Sequence, residues 1–147
     1  MEYYLIGSLR NPDVVHLGNR LSDKNINVFS SWAAAGPLAD DSWRDYEKSK
    51  GVTYKEALKS YAAQHVFQFD RFHLNRCDGA ILLCPAGKSG HLELGYVLGK
   101  DKPGFIYLPG EPERWDVMYN FSTAVCTSFD ELVSAIRDYE VDKELPF

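Results

Sequence analysis

Apolar residues along the chain fall alternately into short runs and into three- and four-residue spacings. Tyr3-Tyr4-Leu5-Ile6 is a short apolar run closed by Gly7-Ser8, the pattern of a buried parallel strand entering a ligand-facing turn. Val14, Val15, Leu17, Gly18 and Leu21 then recur at helical spacing, and Asn11-Pro12-Asp13 supplies helix-start chemistry, so a helix is expected from Asp13 to about Lys24. Ile26-Asn27-Val28-Phe29 reads as a second strand. Ser30 to Gly51 is polar and punctuated by Gly and Pro, and reads as a long loop of the kind that often carries function. From Thr53, the apolar spacing Tyr54, Ala57, Leu58, Tyr61, Ala62, His65, Val66, Phe69, Phe72, Leu74 predicts one long helix to about Arg76, with Thr53 and Glu56 as a capping box.

Ala80-Ile81-Leu82-Leu83-Cys84 is the most apolar strand candidate and is placed at the centre of the sheet. Gly87-Lys88-Ser89-Gly90 is a donor-rich turn opening a helix from His91 to Lys100, whose first N–H groups have no partner within the helix. Phe105 to Leu108 forms another strand, Val125 marks a weaker one, and Ser128-Phe129-Asp130-Glu131 caps a last helix to about Tyr139. The charged tail from Val141 to Phe147 is expected to be loose or to lie on a neighbouring subunit. Strands alternating with helices predict an α/β three-layer sandwich around a mostly parallel five-stranded sheet, with right-handed crossovers. At 147 residues the chain is long enough for one core and short for two, so residues 1–147 are read as one domain.

Charge narrows the possible partners. Sixteen Lys and Arg against 21 Asp and Glu give a net charge of -5, which argues against a protein that grips a nucleic-acid polymer and leaves small nucleotides as ligands. The acidic, briefly apolar start MEYYLIGSLR is no export signal, nothing suggests a membrane span, and a cytoplasmic protein is expected. Cys77, Cys84 and Cys126 lack CxxC spacing and are read as reduced, packed thiols; His16, His65, His73 and His91 show no metal-ligand pattern.

In an open α/β sheet the ligand lies beyond the carboxyl ends of the strands. Gly7-Ser8-Leu9-Arg10 and the stretch from Pro85 to Glu93 converge there, and neither is a GxGxxG or GxxxxGK[ST] phosphate loop. Glu93 is placed in the first turn of its helix, where the helix dipole would keep its carboxylate ionised. Asp70 lies among Phe67, Phe69 and Phe72, where a charge is costly unless it faces a polar cleft. Asp78 reads as a turn or capping residue. Two carboxyl groups from different elements are the equipment for breaking a glycosidic bond.

These residues resemble the nucleoside 2-deoxyribosyltransferases and the related 2'-deoxynucleoside 5'-monophosphate N-glycosidases. The likeness rests on Tyr4-Leu5-Ile6-Gly7-Ser8-Leu9-Arg10, on Asp70 to Asp78 leading into Gly79-Ala80-Ile81-Leu82-Leu83, and on Ser89-Gly90-His91-Leu92-Glu93-Leu94-Gly95 with Gly99-Lys100. It covers roughly half of the chain. The resemblance implies a flavodoxin-like or Rossmann-like fold, Glu93 as nucleophile, and Asp70 as the group that protonates or orients the leaving base. It implies that Gly7, Ser8 and Arg10, with Ser89 and Gly90, hold the sugar 5' end, and that Tyr4 lies beside the sugar. Trp32 becomes a candidate for stacking on a base.

Two signals, one a departure and one a likeness, point in opposite directions. No carboxylate lies between Pro85 and Leu92, where the transferases carry an aspartate for the 5'-hydroxyl, whereas Met118-Tyr119-Asn120 resembles the segment that lends them an asparagine across a subunit interface. The expected protein is therefore a homodimer or larger assembly that cleaves or exchanges the N-glycosidic bond of a 2'-deoxynucleoside or its 5'-monophosphate, without metal or organic cofactor. Two other readings stay open: a hydrolase of NAD-like nicotinamide glycosides, and a nucleotide-binding sensor without turnover.

Overall fold

The structure is a computed structural model and describes residues 1–144. Five strands, β1 (Glu2–Ile6), β2 (Asn27–Phe29), β3 (Gly79–Leu83), β4 (Gly104–Tyr107) and β5 (Ala124–Cys126), form one sheet in the order β2-β1-β3-β4-β5. Every pairing is parallel, with Tyr4 opposite Phe29 and Ala80, and Leu82 opposite Ile106. The helices are α1 (Asp13–Asp23), α2 (Ala39–Ser49), α3 (Tyr54–Ala57), α4 (Tyr61–Arg76), α5 (Lys88–Gly99) and α6 (Phe129–Glu144), with 3₁₀ turns at Ser31–Ala35 and Val117–Phe121. This is the expected three-layer α/β sandwich, and its strand order is that of flavodoxin-like folds.

Alternation along the strands builds the layers. Tyr3, Leu5, Ile81, Leu83, Phe105 and Tyr107 face one side and bury Val14, Leu17 and Leu21 of α1 and Leu132, Val133 and Ile136 of α6. Tyr4, Ile6, Ala80, Leu82 and Ile106 face the other side and bury Leu74 of α4 and Leu94 and Val97 of α5. All five residues of β3 are buried, as a strand with helices on both faces requires. Each fully buried aliphatic side chain among them contributes about 2 kcal/mol from apolar area removed from water. The order in which strands are added reverses between β1 and β3, so the crevice at their carboxyl ends is the place where this fold can admit a ligand.

Four expectations require correction. The Ser30–Gly51 stretch is not a loop: it holds a 3₁₀ turn and α2, whose first turn is acidic (Asp40, Asp41) and whose last carries Lys48, both favourable to the helix dipole. Its sparse apolar content hid it, since Glu47, ion-paired with Lys50 at 3.2 Å, is its only buried residue. The helix expected from Thr53 to Arg76 is two helices. The Thr53–Glu56 capping box forms but starts only the short α3, and Ser60, in extended conformation, accepts from the Ala63 N–H and starts α4. Helix α5 begins at Lys88 rather than His91. Helix α6 runs on to Glu144, so the supposed tail is helical that far, and positions 145–147 lie outside the described residues.

Cys77, Cys84 and Cys126 are free and buried. Asp78 accepts a hydrogen bond from the Glu2 N–H at 2.8 Å and donates its own N–H to the Glu2 carbonyl at 2.8 Å, so it ties the entry of β3 to the start of β1 rather than closing a local turn. Among the described residues no helix is long and apolar enough to cross a membrane.

Gly79 lets β3 enter the sheet beside the segment that leads into β4. A Cβ there would stand 2.7 Å from the Pro103 carbonyl oxygen, which also accepts the Ala80 N–H at 2.9 Å. The obstacle is backbone, so Gly79→Ala is expected to lower unfolding free energy by about 2 kcal/mol with an unchanged urea m-value, measured by equilibrium denaturation.

Candidate active site

Three elements bring Tyr4, Asp70 and Glu93 together on the α4/α5 face of the sheet. Tyr4 points that way because it alternates with Tyr3 and Leu5, and its ring is almost completely buried. Its hydroxyl donates to Asp70 Oδ1 at 3.4 Å. Glu93 lies in the second turn of α5, between Gly90 and the buried Leu94. Gly90 permits the close approach: a Cβ there would lie 3.1 Å from Ile6 and 3.2 Å from Leu82, at the carboxyl ends of β1 and β3.

The Glu93 carboxyl is the electrostatic centre of the site. Its Oε2 is buried without a hydrogen-bond partner among the described residues. Burial first, then repulsion from Asp70 and Asp40, pushes its pKa up to about 8, against hydrogen bonding from Tyr4, which lowers it. Asp70 is pushed up to about 6, again chiefly by burial, with the Tyr4 hydrogen bond opposing and Asp40 adding to the rise. The Tyr4 phenol is raised by burial and by both carboxyls, so it stays protonated. The expectation that Glu93 stays ionised is therefore overturned. At its depth in α5, loss of water outweighs the helix dipole, which fades within the first turn. Both carboxyls are thus pushed upward, Glu93 the further, which favours a shared proton on the pair.

The other candidates divide. Gly7 sits where a Cβ would come within 2.7 Å of Val14, and 3.9 Å from Trp32. The turn here is thus tight, and the Ser8 hydroxyl is used locally, accepting from the Arg10 N–H at 3.2 Å. Arg10 reaches across to Asp41 on α2 at 2.9 Å and is exposed, so its guanidinium guards the rim rather than the floor. The Trp32 indole N–H donates to the Leu5 carbonyl at 2.8 Å, and its ring touches both core layers. Ser89 is exposed on the first turn of α5, with Gly90 beneath it against the sheet. Asn120 is not drawn to the carboxyl pair: its amide donates to Val117 O at 3.0 Å, and it lines a separate cleft of about 300 Å³ with Arg114, Trp115 and Tyr119.

Asp40 was missed at the sequence level, along with its helix. It is exposed on the first turn of α2 and is felt by both buried carboxyls. No spacing signal links it to Asp70 or Glu93, because the proximity comes from α2 lying against α4. Among the described residues no group of three or more His, Cys, Asp or Glu side chains is arranged to hold a metal ion. No family model matches the chain, and no curated protein matches it.

A carboxyl whose folded pKa lies above its unfolded value binds its proton more tightly when folded, so stability is lost as pH rises from the unfolded value toward the folded one. The wild type should therefore weaken between about pH 4.5 and pH 8. Glu93→Gln should be the more stable protein at pH 8.5, by on the order of 2–4 kcal/mol, and the difference should shrink toward zero near pH 4. Urea unfolding of both proteins across that range checks it; a difference independent of pH would contradict a proton held by Glu93.

Proposed function

We propose that this protein breaks the N-glycosidic bond of a 2'-deoxynucleoside or its 5'-monophosphate, passing the sugar to water or to a second base. The observation that carries the reading is the buried Glu93 carboxyl, with one oxygen unpartnered, beside Asp70 and the Tyr4 hydroxyl at the crevice between β1 and β3. A dry carboxyl is costly to the fold and useful for attack on a sugar carbon, since it has no water shell to shed. The sequence resemblance to the nucleoside 2-deoxyribosyltransferases and monophosphate N-glycosidases assigns the same two residues.

The proton on the pair gives the reaction its direction. As the C1'–N bond lengthens, its electron pair moves onto the base, and the base takes the proton that Glu93 held in the free protein, relayed through Asp70 beside Tyr4. Glu93 is thereby freed as a carboxylate and closes on C1', forming a glycosyl ester; no net charge is created within the cleft. Water or an incoming base then attacks C1' as Asp70 accepts its proton, and the ester bond breaks to return Glu93. Ser89, Gly90 and the free N–H groups at the start of α5 face the 5' end of the sugar, with Arg10 available from the rim once it leaves Asp41. Trp32 walls the turn after β1.

Assembly belongs to the same proposal. Trp115, Val117, Met118 and Phe121 stand largely exposed on and beside the Val117–Phe121 turn, as does Leu92 next to Glu93. That is an apolar surface suited to a second copy, which could present Asn120 to this site.

Incubation with deoxynucleosides and their 5'-monophosphates, with and without an acceptor base, should release or exchange free base as followed by chromatography. Glu93→Ala should reduce turnover at least about a thousandfold and Asp70→Asn about a hundredfold. The wild-type kcat/KM should follow a bell-shaped pH profile whose limbs, near about pH 6 and about pH 8, belong to the pair jointly. Nucleotide binding without base release, unchanged in Glu93→Gln, would instead identify a sensor.

A further inference from the structure

The chemistry above leaves His91 and Tyr119 without a role, although they make the most specific side-chain contact near the site. His91 Nδ1 lies 2.8 Å from the Gly87 carbonyl oxygen and Nε2 lies 2.9 Å from the Tyr119 hydroxyl. A carbonyl oxygen only accepts, so Nδ1 carries the proton. In the neutral imidazole Nε2 is then a lone pair, and the Tyr119 O–H donates to it. The phenol oxygen lies 3.8 Å from Cys84 Sγ, which leaves the thiol as donor to Tyr119. The two rings stack with centroids 5.7 Å apart and planes within 19°. A single polar chain thus runs from Cys84 after β3, through the Val117–Phe121 turn, to the carbonyl of Gly87, the residue that caps α5.

This contact acts on one part of α5 only. Gly90, Leu94 and Val97 are buried, so the portion of the helix bearing Glu93 is held by the core. The first turn is anchored to the core only through Gly90, which has no side chain of its own to hold it. Its cap is a glycine without a side-chain hydrogen bond, and Lys88 and Ser89 are exposed. His91 is the side chain that ties this turn to another element.

We propose that His91 and Tyr119 are positioning residues that hold the first turn of α5 in the shape that receives the 5' end of the substrate; this rests on the glycosidic reading of the site. Neither touches the reacting atoms. Their loss loosens the 5' end and leaves the carboxyl pair in place, so the effect falls on substrate affinity and on substrates with a charged 5' group more than on those without.

Tyr119→Phe removes the hydroxyl and keeps the stacked ring, and His91→Leu removes both hydrogen bonds. Steady-state base release from a deoxynucleoside and its 5'-monophosphate is measured for each, beside amide hydrogen exchange of the substrate-free full chain. For Tyr119→Phe, KM for the monophosphate should rise about fivefold with kcat nearly unchanged, the increase expected for loss of one hydrogen bond, and KM for the nucleoside should move less. Exchange at the His91 amide, which donates to the Gly87 carbonyl at 3.3 Å, should quicken by about the same factor, with residues 132–136 of α6 as the unchanged reference. His91→Leu should move both readouts further the same way. Unchanged exchange at the His91 amide overturns the proposal, as does a fall in kcat at constant KM. No base release by the wild type overturns the glycosidic reading instead, and the exchange comparison alone then decides whether the pair holds the turn.

Discussion

The pleat of β1 divides this molecule. Because side chains alternate across a strand, Tyr3 and Leu5 are committed to the layer of α1 and α6, and Tyr4 and Ile6 to the layer of α4 and α5. A slip of one residue would exchange the two sets and put the Tyr4 hydroxyl in the wrong layer. Everything at the candidate site follows from that commitment. Tyr4 reaches α4 at Asp70, α5 presses its Gly90 onto Ile6 and Leu82, and the Glu93 carboxyl comes down on the same face.

Bringing a second carboxyl onto that face has a cost that the core must offset. Two acidic groups share a buried space with one phenol to serve them, and Asp40 adds its field from α2. The protein answers by keeping a proton, which removes most of the penalty of an unpaired charge. The same adjustment links stability to function. On the proposed reading, a pair that releases its proton only when a leaving group can take it is dormant in the free protein and reactive with a substrate in place. The fully buried strands β3 and β4 and the apolar faces of α1 and α6 supply the stability against which this local cost is set.

Much of the fold was legible in the chain. The apolar runs at residues 3–6, 80–84 and 105–108 became the central strands, and the helical spacing after Asp13 and Ser128 became α1 and α6. Failures came where tertiary context supplies what local pattern lacks. Helix α2 has almost no apolar face, and Ser60 is a helix start concealed within an apolar spacing that continues across it. Among the site residues, Glu93 and Asp70 were named through the family resemblance, whose motif and interval they match. The detour of Arg10 to Asp41 depended on a helix that the pattern did not reveal.

The sequence by itself determined the alternation of strands and helices and the buried identity of the sheet. Those follow from periodicity, which is local and survives without knowledge of distant neighbours. Tertiary structure alone decided that burial raises the Glu93 pKa, that Asp40 bears on it, and that His91 is tied to Tyr119. A pKa and a hydrogen bond depend on distance and on excluded water, and residues far apart in the chain acquire both only when the layers close around them.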